Sequence, residues 1–355
     1  MISFTSDNAS GIAPEILRAV ESANGGPAMP YGDDAITRRV EARLAEIFET
    51  EVAVFPVATG SAANSLALSV MAPPYGAIYC HEAAHINVDE CGAPEFFTGG
   101  AKLVDLAGAD GKLHAGDLAA ALAGAGAGIV HHVQPAAISL TQASECGTVY
   151  SPHELHEIAG LARAHGLRLH VDGARFANAV AGLGCSPADL TWRAGVDALS
   201  LGATKNGALA AEAVVFFDRA LAAAFGYRRK RAGHLFSKMR FLSAQLEAYL
   251  SDDLWLSNAR HANRLADRLA QGLAGLPGAR LVYPVQANEV FVALPEAAIA
   301  GLLADGFQFY RWPDAGPGAI RLVTAFDTDP ADVGALLAAA ERHAGRHRAD
   351  RAQNT

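Results

Sequence analysis

Apolar residues recur at helical spacing over 34–49, where Ile36, Val40, Leu44, Ile47 and Phe48 share one face. The apolar run VAVF (52–55) follows, and TGSAANSLALSVM (59–71) predicts a glycine turn entering a helix. AIYC (77–80) and KLVDL (102–106) predict strands, and GIVHHVQPAAISL (128–140) predicts a strand with a loop at its far end. Over 151–171 the local signals are clearest. Ser151 is an N-cap, Pro152 suits the first helical position, and Glu154 completes a capping box. Leu155, Ile158, Ala159 and Ala162 then keep helical spacing, Gly166 ends the helix, and LRLHV (167–171) enters a strand. Helices feeding buried-looking strands, several times over, predict a βαβ layout with a mostly parallel sheet flanked by helices, an α/β fold.

Beyond about residue 250 the rhythm changes. Long helices are predicted over 234–250 and 258–275. Strands follow at 288–294, 306–312 and 319–324, with a short helix between the first two and a last helix from Asp329. That pattern predicts a smaller C-terminal α+β domain. The expected division is a large domain over 1–250, with an N-terminal arm at 1–14, then a small domain over 251–345 and a tail over 346–355. The polar, basic residues after Arg342 are expected to fray. No internal repeat is visible, and the alanine-glycine stretch at 119–128 is too short to be low complexity.

Composition narrows the function classes. At 355 residues, 51% apolar and 18% charged, the chain can bury a large core over about two domains. The formal net charge of −9 gives nothing to a phosphate backbone, which argues against broad nucleic-acid binding. No apolar run approaches the roughly 20 residues needed to cross a bilayer, so no membrane partner is expected. The opening MISFTSDNASG lacks a basic segment before an apolar stretch, so no signal peptide is expected. Cys80, Cys91, Cys146 and Cys185 lie far apart without a CxxC pair. They read as reduced thiols of a cytoplasmic protein rather than a metal site or a disulfide framework.

In an open α/β sheet, ligands bind beyond the carboxyl ends of the strands. Three features fall at such ends. Gly60 and Ser61 open a helix whose free N–H groups and positive dipole end suit a phosphate, although strand–glycine–helix turns are common. Asp172 closes LRLHV, where it is either a turn residue or a buried acid paired with a cationic ring nitrogen. Arg175, three residues on, offers a bidentate fork for a carboxylate. Lys205 follows VDALSLGAT, where it is either a solvated charge or an amine positioned to form a Schiff base. His85 is either an ordinary satisfied histidine or a flat ring that stacks on a cofactor. Phosphate cradle, acid and lysine, in that order, are the parts needed to hold pyridoxal phosphate.

The chain resembles the threonine aldolases, in the fold-type I class of pyridoxal-phosphate enzymes that also holds the β-eliminating lyases. The resemblance runs from about residue 2 to 340. It rests on FTSDNASG (4–11), YGDD (31–34), TGSAANSLAL (59–68), HEAAHI (81–86), VDGARFANA (171–179), SLGATKNG (200–207) and AIRLVT (319–324), in order. It implies a carbon–carbon lyase of amino-acid metabolism that cleaves L-threonine, L-allo-threonine and related L-β-hydroxy-α-amino acids, phenylserine among them, to glycine and an aldehyde. A β-eliminating lyase or an aminotransferase on the same fold is the alternative. Lys205, Asp172 and His85 are implied as catalytic residues: the lysine bound to the cofactor, the acid on its pyridine nitrogen and the ring stacked upon it. Gly60 and Ser61 are implied to bind the phosphate with help from Thr204. Ser6, Arg175 and Arg321 are implied to bind the substrate's α-carboxylate. Tyr31 and Arg240 match positions that line the site, Arg240 across a subunit interface of a homodimer or homotetramer.

One departure concerns the proton on the substrate hydroxyl. Many members of the family carry a histidine in the strand-end loop that here reads TQASECG (141–147), and Ser144 aligns with it. His85, His131, His132 and Lys205 remain as alternatives for the base, and one of the pair 131–132 is expected to face a core.

Overall fold

The computed structural model describes residues 2–353. Its centre is a seven-stranded sheet in the order Ala53–Val57, Glu212–Phe216, Ala198–Gly202, Arg168–Gly173, Gln134–Thr141, Gly76–His81 and Lys102–Leu106. Only Glu212–Phe216 runs antiparallel to its neighbours. The other six strands share a direction, so the loops that leave them collect along one edge. Period-two alternation divides the strand side chains between two cores. Tyr79, Leu140, Val171 and Leu199 face one cluster, with Val40, Leu44, Leu155 and Ile158 of the covering helices. Ile78, Cys80, Val214 and Phe216 face the other, with Leu66 and Phe225. The result is three layers, helix on sheet on helix.

The capping box forms as expected: Ser151 Oγ accepts from Glu154 N at 3.2 Å, and Glu154 Oε2 accepts from Ser151 N at 2.8 Å. Lys112 Nζ also bonds this glutamate, at 2.6 Å. Ser151→Ala is expected to cost about 1 kcal/mol, read as a lower urea midpoint at unchanged slope.

A third hydrophobic cluster gathers Val290, Val292, Ile320 and Leu322 from a four-stranded sheet together with helices Glu296–Ala304 and Pro330–Gln353. Helix Leu254–Ala274 belongs to both bodies: Trp255 and Ala259 enter the large core, and Leu265, Leu269 and Leu273 enter the smaller one. The N-terminal segment is shared too. Ile2–Ser3 pairs in parallel with Phe307–Gln308, and Phe4 is buried in the smaller cluster.

Several local expectations need correction. The strand expected over 128–140 begins only at Gln134, because Gly126 and Gly128 at positive φ turn the chain and Gln134 ties that turn together. His131 and His132 both lie exposed on it, so neither faces a core. The helix expected from 234 starts at Arg240, after a turn that follows helix Arg219–Arg231. Residues 306–312 split into Phe307–Gln308 and Tyr310–Arg311, which join different sheets. The last helix continues through Arg342 to Gln353, rather than fraying at that point.

Candidate active site

A cavity of about 380 Å³ opens at the carboxyl ends of the parallel strands. Gly60, Ser61, His85, Asp172, Arg175, Thr204 and Lys205, all singled out from sequence, line it. Asn64, Glu90, Glu145 and Glu212 line it too and were not singled out. Strand register explains much of the convergence, since Thr141, Asp172 and Ser200 are direct neighbours across three strands. Gly202 lets the next turn close in: a Cβ there would sit 2.6 Å from Ala174 O. The turn that bears Lys205 therefore abuts the turn that leads to Arg175.

Lys205 sits in the short helix Thr204–Asn206. Asn206 anchors that helix by donating to Tyr249 Oη at 3.0 Å and Trp255 O at 2.8 Å. Among the described residues Lys205 Nζ makes no hydrogen bond or ion pair, which leaves its amine uncommitted on the cavity wall. Beside it Glu212 Oε2 accepts from Ala203 N at 2.8 Å. Burial pushes the Glu212 carboxyl up to about 7, against the Thr204 hydroxyl and the Ala203 N–H.

Asp172 is both things the sequence allowed, a turn acid and a buried carboxylate. Its Oδ1 accepts from Ala174 N at 3.0 Å, and its Oδ2 accepts from Asn64 Nδ2 at 2.7 Å. Asn64 projects from helix Gly60–Met71, which Thr59 caps by accepting from Ala62 N at 3.2 Å. The same amide donates to Glu90 Oε1 at 2.9 Å, which His85 Nδ1 also reaches at 2.9 Å. The Glu90 hydrogen bond raises the His85 imidazole above its usual value, against burial and with help from Asp172. Deeper in the sheet His170 bridges Ser139 Oγ and Ser200 Oγ at 2.9 Å each. Burial pushes this ring down to about 4, so it is neutral at pH 7.

The arginines expected at the substrate carboxylate are committed to partners. Asp7 grips Arg175 with two bonds, 2.7 Å from Nε and 3.0 Å from Nη2. Glu289 Oε2 lies 3.2 Å from Arg175 Nη1, and its Oε1 lies 3.8 Å from Arg321 Nη1. Arg321 also donates to Thr5 O at 3.2 Å and stacks over Trp312. Burial works against the Asp7 carboxylate, but Arg175, Lys205 and Asn288 outweigh it and hold the group below its usual value. Its contribution to stability is therefore complete above pH 3.8 and disappears as pH falls through the lower folded value. Asp7→Ala is expected to destabilise the fold by about 3–5 kcal/mol in urea titrations near pH 7, because it breaks a buried pair on one side only.

Ser6 caps the short helix Asp7–Ala9 by accepting from Asn8 N. Ser6, Tyr31, Arg240 and Arg321 are not among the residues that line the cavity. Tyr31 is 48% exposed beneath Lys230, and Arg240 donates to Gly26 O at 2.8 Å. Ser144 is fully buried, bonded to Thr148 Oγ1 at 2.7 Å, and also stands away from the cavity. The next residue, Glu145, faces it instead: Oε1 accepts from His85 N at 2.8 Å and Oε2 is buried without a partner. Among the described residues no group of three metal-binding side chains is present, and no helix is long and apolar enough to cross a membrane.

Six parallel strands delivering a lysine, an acid and a helix N-terminus to one crevice define the fold-type I scaffold of pyridoxal-phosphate enzymes. Serine palmitoyltransferase of Sphingomonas wittichii shares this fold at a TM-score of 0.70 and 19% identity, over 98% of this chain and 87% of that one. The sequence profile of the beta-eliminating lyases matches residues 3–297, and the chain belongs to that family. Its curated relatives include a low specificity L-threonine aldolase of Pseudomonas aeruginosa, 48% identical over 92% of this chain and 93% of that one. Another, from a Pseudomonas species, is 46% identical over 94% and 96%. Threonine aldolase of Leishmania major superposes at a TM-score of 0.90 with 29% identity, over 97% of this chain and 100% of that chain.

Proposed function

We propose that this protein is a lyase that cleaves L-threonine, L-allo-threonine and related L-β-hydroxy-α-amino acids, phenylserine among them, to glycine and an aldehyde with the help of pyridoxal phosphate. The observation that carries this reading is the uncommitted Lys205 amine on the same cavity as Asp172, a carboxylate fixed by two donors. The residues present fit the cofactor. Asn64 Oδ1 and Glu145 Oε2 are buried there without partners among the described residues, so polar capacity is left over for a ligand. The cavity volume is in the range of small-molecule sites, and helix Gly60–Met71 starts at its wall.

When bound, the cofactor supplies the electron sink for the pair released from the Cα–Cβ bond. Lys205 would hold it through Nζ. Asp172, kept aimed by Asn64 and the Ala174 N–H, would keep a proton on the ring nitrogen. His85, oriented by Glu90, would pack against the ring. Gly60, Ser61 and Thr204 would hold the phosphate. Arg175, which lines the cavity, would orient the α-carboxylate and so select the bond at Cα that breaks, while Arg321 is joined to it through Glu289 and Ser6 stands outside the cavity. Tyr31 and Arg240 stand apart from the cavity of their own chain and serve the site of a second copy, in a homodimer or homotetramer. Leu209 supports this arrangement, since it lines the cavity and is still 58% exposed. The four free cysteines suit a cytoplasmic enzyme.

The test is incubation of the cofactor-loaded protein with L-threonine, L-allo-threonine and L-phenylserine. The expected products are glycine and an aldehyde in equal amounts. Small pocket differences discriminate by only about 1–3 kcal/mol, so cleavage of both threonine epimers is expected. Ammonia and a keto acid instead would transfer the chain to elimination chemistry.

A further inference from the structure

We propose that Glu145 takes the proton from the substrate's β-hydroxyl, through its free Oε2 oxygen, and that His85 is a positioning residue. This inference rests on the retro-aldol reading above.

The placement of the competing groups carries it. His85 Nδ1 is bound to Glu90, a carboxylate with a fully buried side chain that also takes a bond from Asn64. The bond to Glu90 occupies Nδ1 and fixes the orientation of the ring. His131 and His132 are exposed on a turn and do not line the cavity. Ser144 spends its hydroxyl on Thr148 and Asp110 O, at 2.7 and 3.2 Å. Glu212 has Oε2 engaged by Ala203 N.

Among the described residues, Glu145 alone of the cavity carboxylates has a buried oxygen with no hydrogen-bond partner. Its other oxygen is pinned by the His85 N–H at 2.8 Å, which fixes the direction of the free one. The loop beneath is rigid: Ser144 N donates to Thr148 O at 2.8 Å and Gly147 N to Ser144 O at 2.9 Å. The charged and titratable groups facing Glu145 are Asp172, Arg175, Cys80, Cys146 and Tyr150. Burial above all, then the Asp172 charge, pushes its carboxyl up to about 7, against the His85 and Glu145 N–H groups and the nearby Thr141 hydroxyl, which makes no hydrogen bond to Oε2; that suits a base that works near neutrality. In the step itself the substrate O–H bond breaks and an O–H bond forms at Oε2. The pair left on the oxygen closes the aldehyde C=O as the Cα–Cβ bond parts, and a bound cofactor would accept the pair that this bond releases. One proton returns to Cα to complete glycine, so no outside oxidant, reductant or acid is consumed.

The experiment compares Glu145→Gln, Glu145→Ala and His85→Asn in the cofactor-loaded protein with L-phenylserine. For Glu145→Gln, kcat is expected to fall about 10²–10⁴-fold. KM and the glycine-induced change in the visible spectrum should stay within about threefold. The rise of kcat/KM with pH through about 7 should vanish, and formate should restore turnover to Glu145→Ala. A second readout needs no turnover. A carboxyl raised in the folded state costs stability as pH climbs from 4.5 through about 7. The melting temperature of cofactor-free Glu145→Gln should therefore gain on the parent over that interval. Normal kcat in Glu145→Gln overturns the proposal. So does a loss confined to glycine binding, or a pH limb that His85→Asn removes and Glu145→Gln keeps. Absence of aldehyde from the parent protein with every substrate overturns the retro-aldol reading itself, a result distinct from any of these.

Discussion

Lys205→Ala should lower kcat/KM for L-threonine cleavage by at least about 10⁴-fold while leaving the fold intact. The two halves of that expectation come from different observations. The amine touches no partner among the described residues, so its removal orphans nothing. The short helix that carries it is held from elsewhere, by Asn206 on Tyr249 and Trp255 and by Asn258 on Asn206 O. Loss of activity with unchanged melting would place the defect in the chemistry. Borohydride reduction gives the direct check, because the parent chain should retain the cofactor covalently and the variant should not. A variant with ordinary turnover would remove Lys205, and with it the proposed function.

Asp172→Asn should be nearly as damaging, for reasons that its neighbours make specific. An amide is the same size as the carboxylate but cannot balance a protonated ring nitrogen, and removal of one such electrostatic partner typically costs about 10²–10³-fold in kcat. The local bonds conflict as well. Ala174 N still finds an oxygen, but the new Nδ2 meets Asn64 Nδ2, donor against donor. A buried amide left without its acceptor costs about 1–3 kcal/mol. The expected result is therefore a combined loss: kcat down about 10²–10³-fold, with a lower urea midpoint. If Asp172 only closed its turn, the midpoint would fall and kcat would not.

The large sheet was legible because buried parallel strands and amphipathic helices leave strong periodic signals. Ser151, Pro152 and Glu154 announced their helix by residue type, and the box forms as written. The start of helix Arg240–Leu250 was not legible, since the turn before it carries no glycine or proline at the boundary itself. Lys205, Asp172 and Gly60 could be singled out because each follows a strand, a position visible in one dimension. Asn64, Glu90 and Glu145 could not. Asn64 lies one turn inside a helix, and its partners are 26 and 108 residues away. Attention in the TQASECG loop fell on Ser144, but the chain turns that hydroxyl inward and presents the next side chain to the cavity. The pairing of Asp7 with Arg175, 168 residues apart, was equally hidden.

Helix Leu254–Ala274 contributes side chains to two oily interiors at once. Neither half of the molecule can melt without stripping one end of a shared beam, and the other half then loses its lining. Chemical denaturation should accordingly pass through one transition, seen alike by fluorescence and by circular dichroism. The same rod joins Glu289 and Arg321, on the smaller sheet, to the edge that bears Lys205.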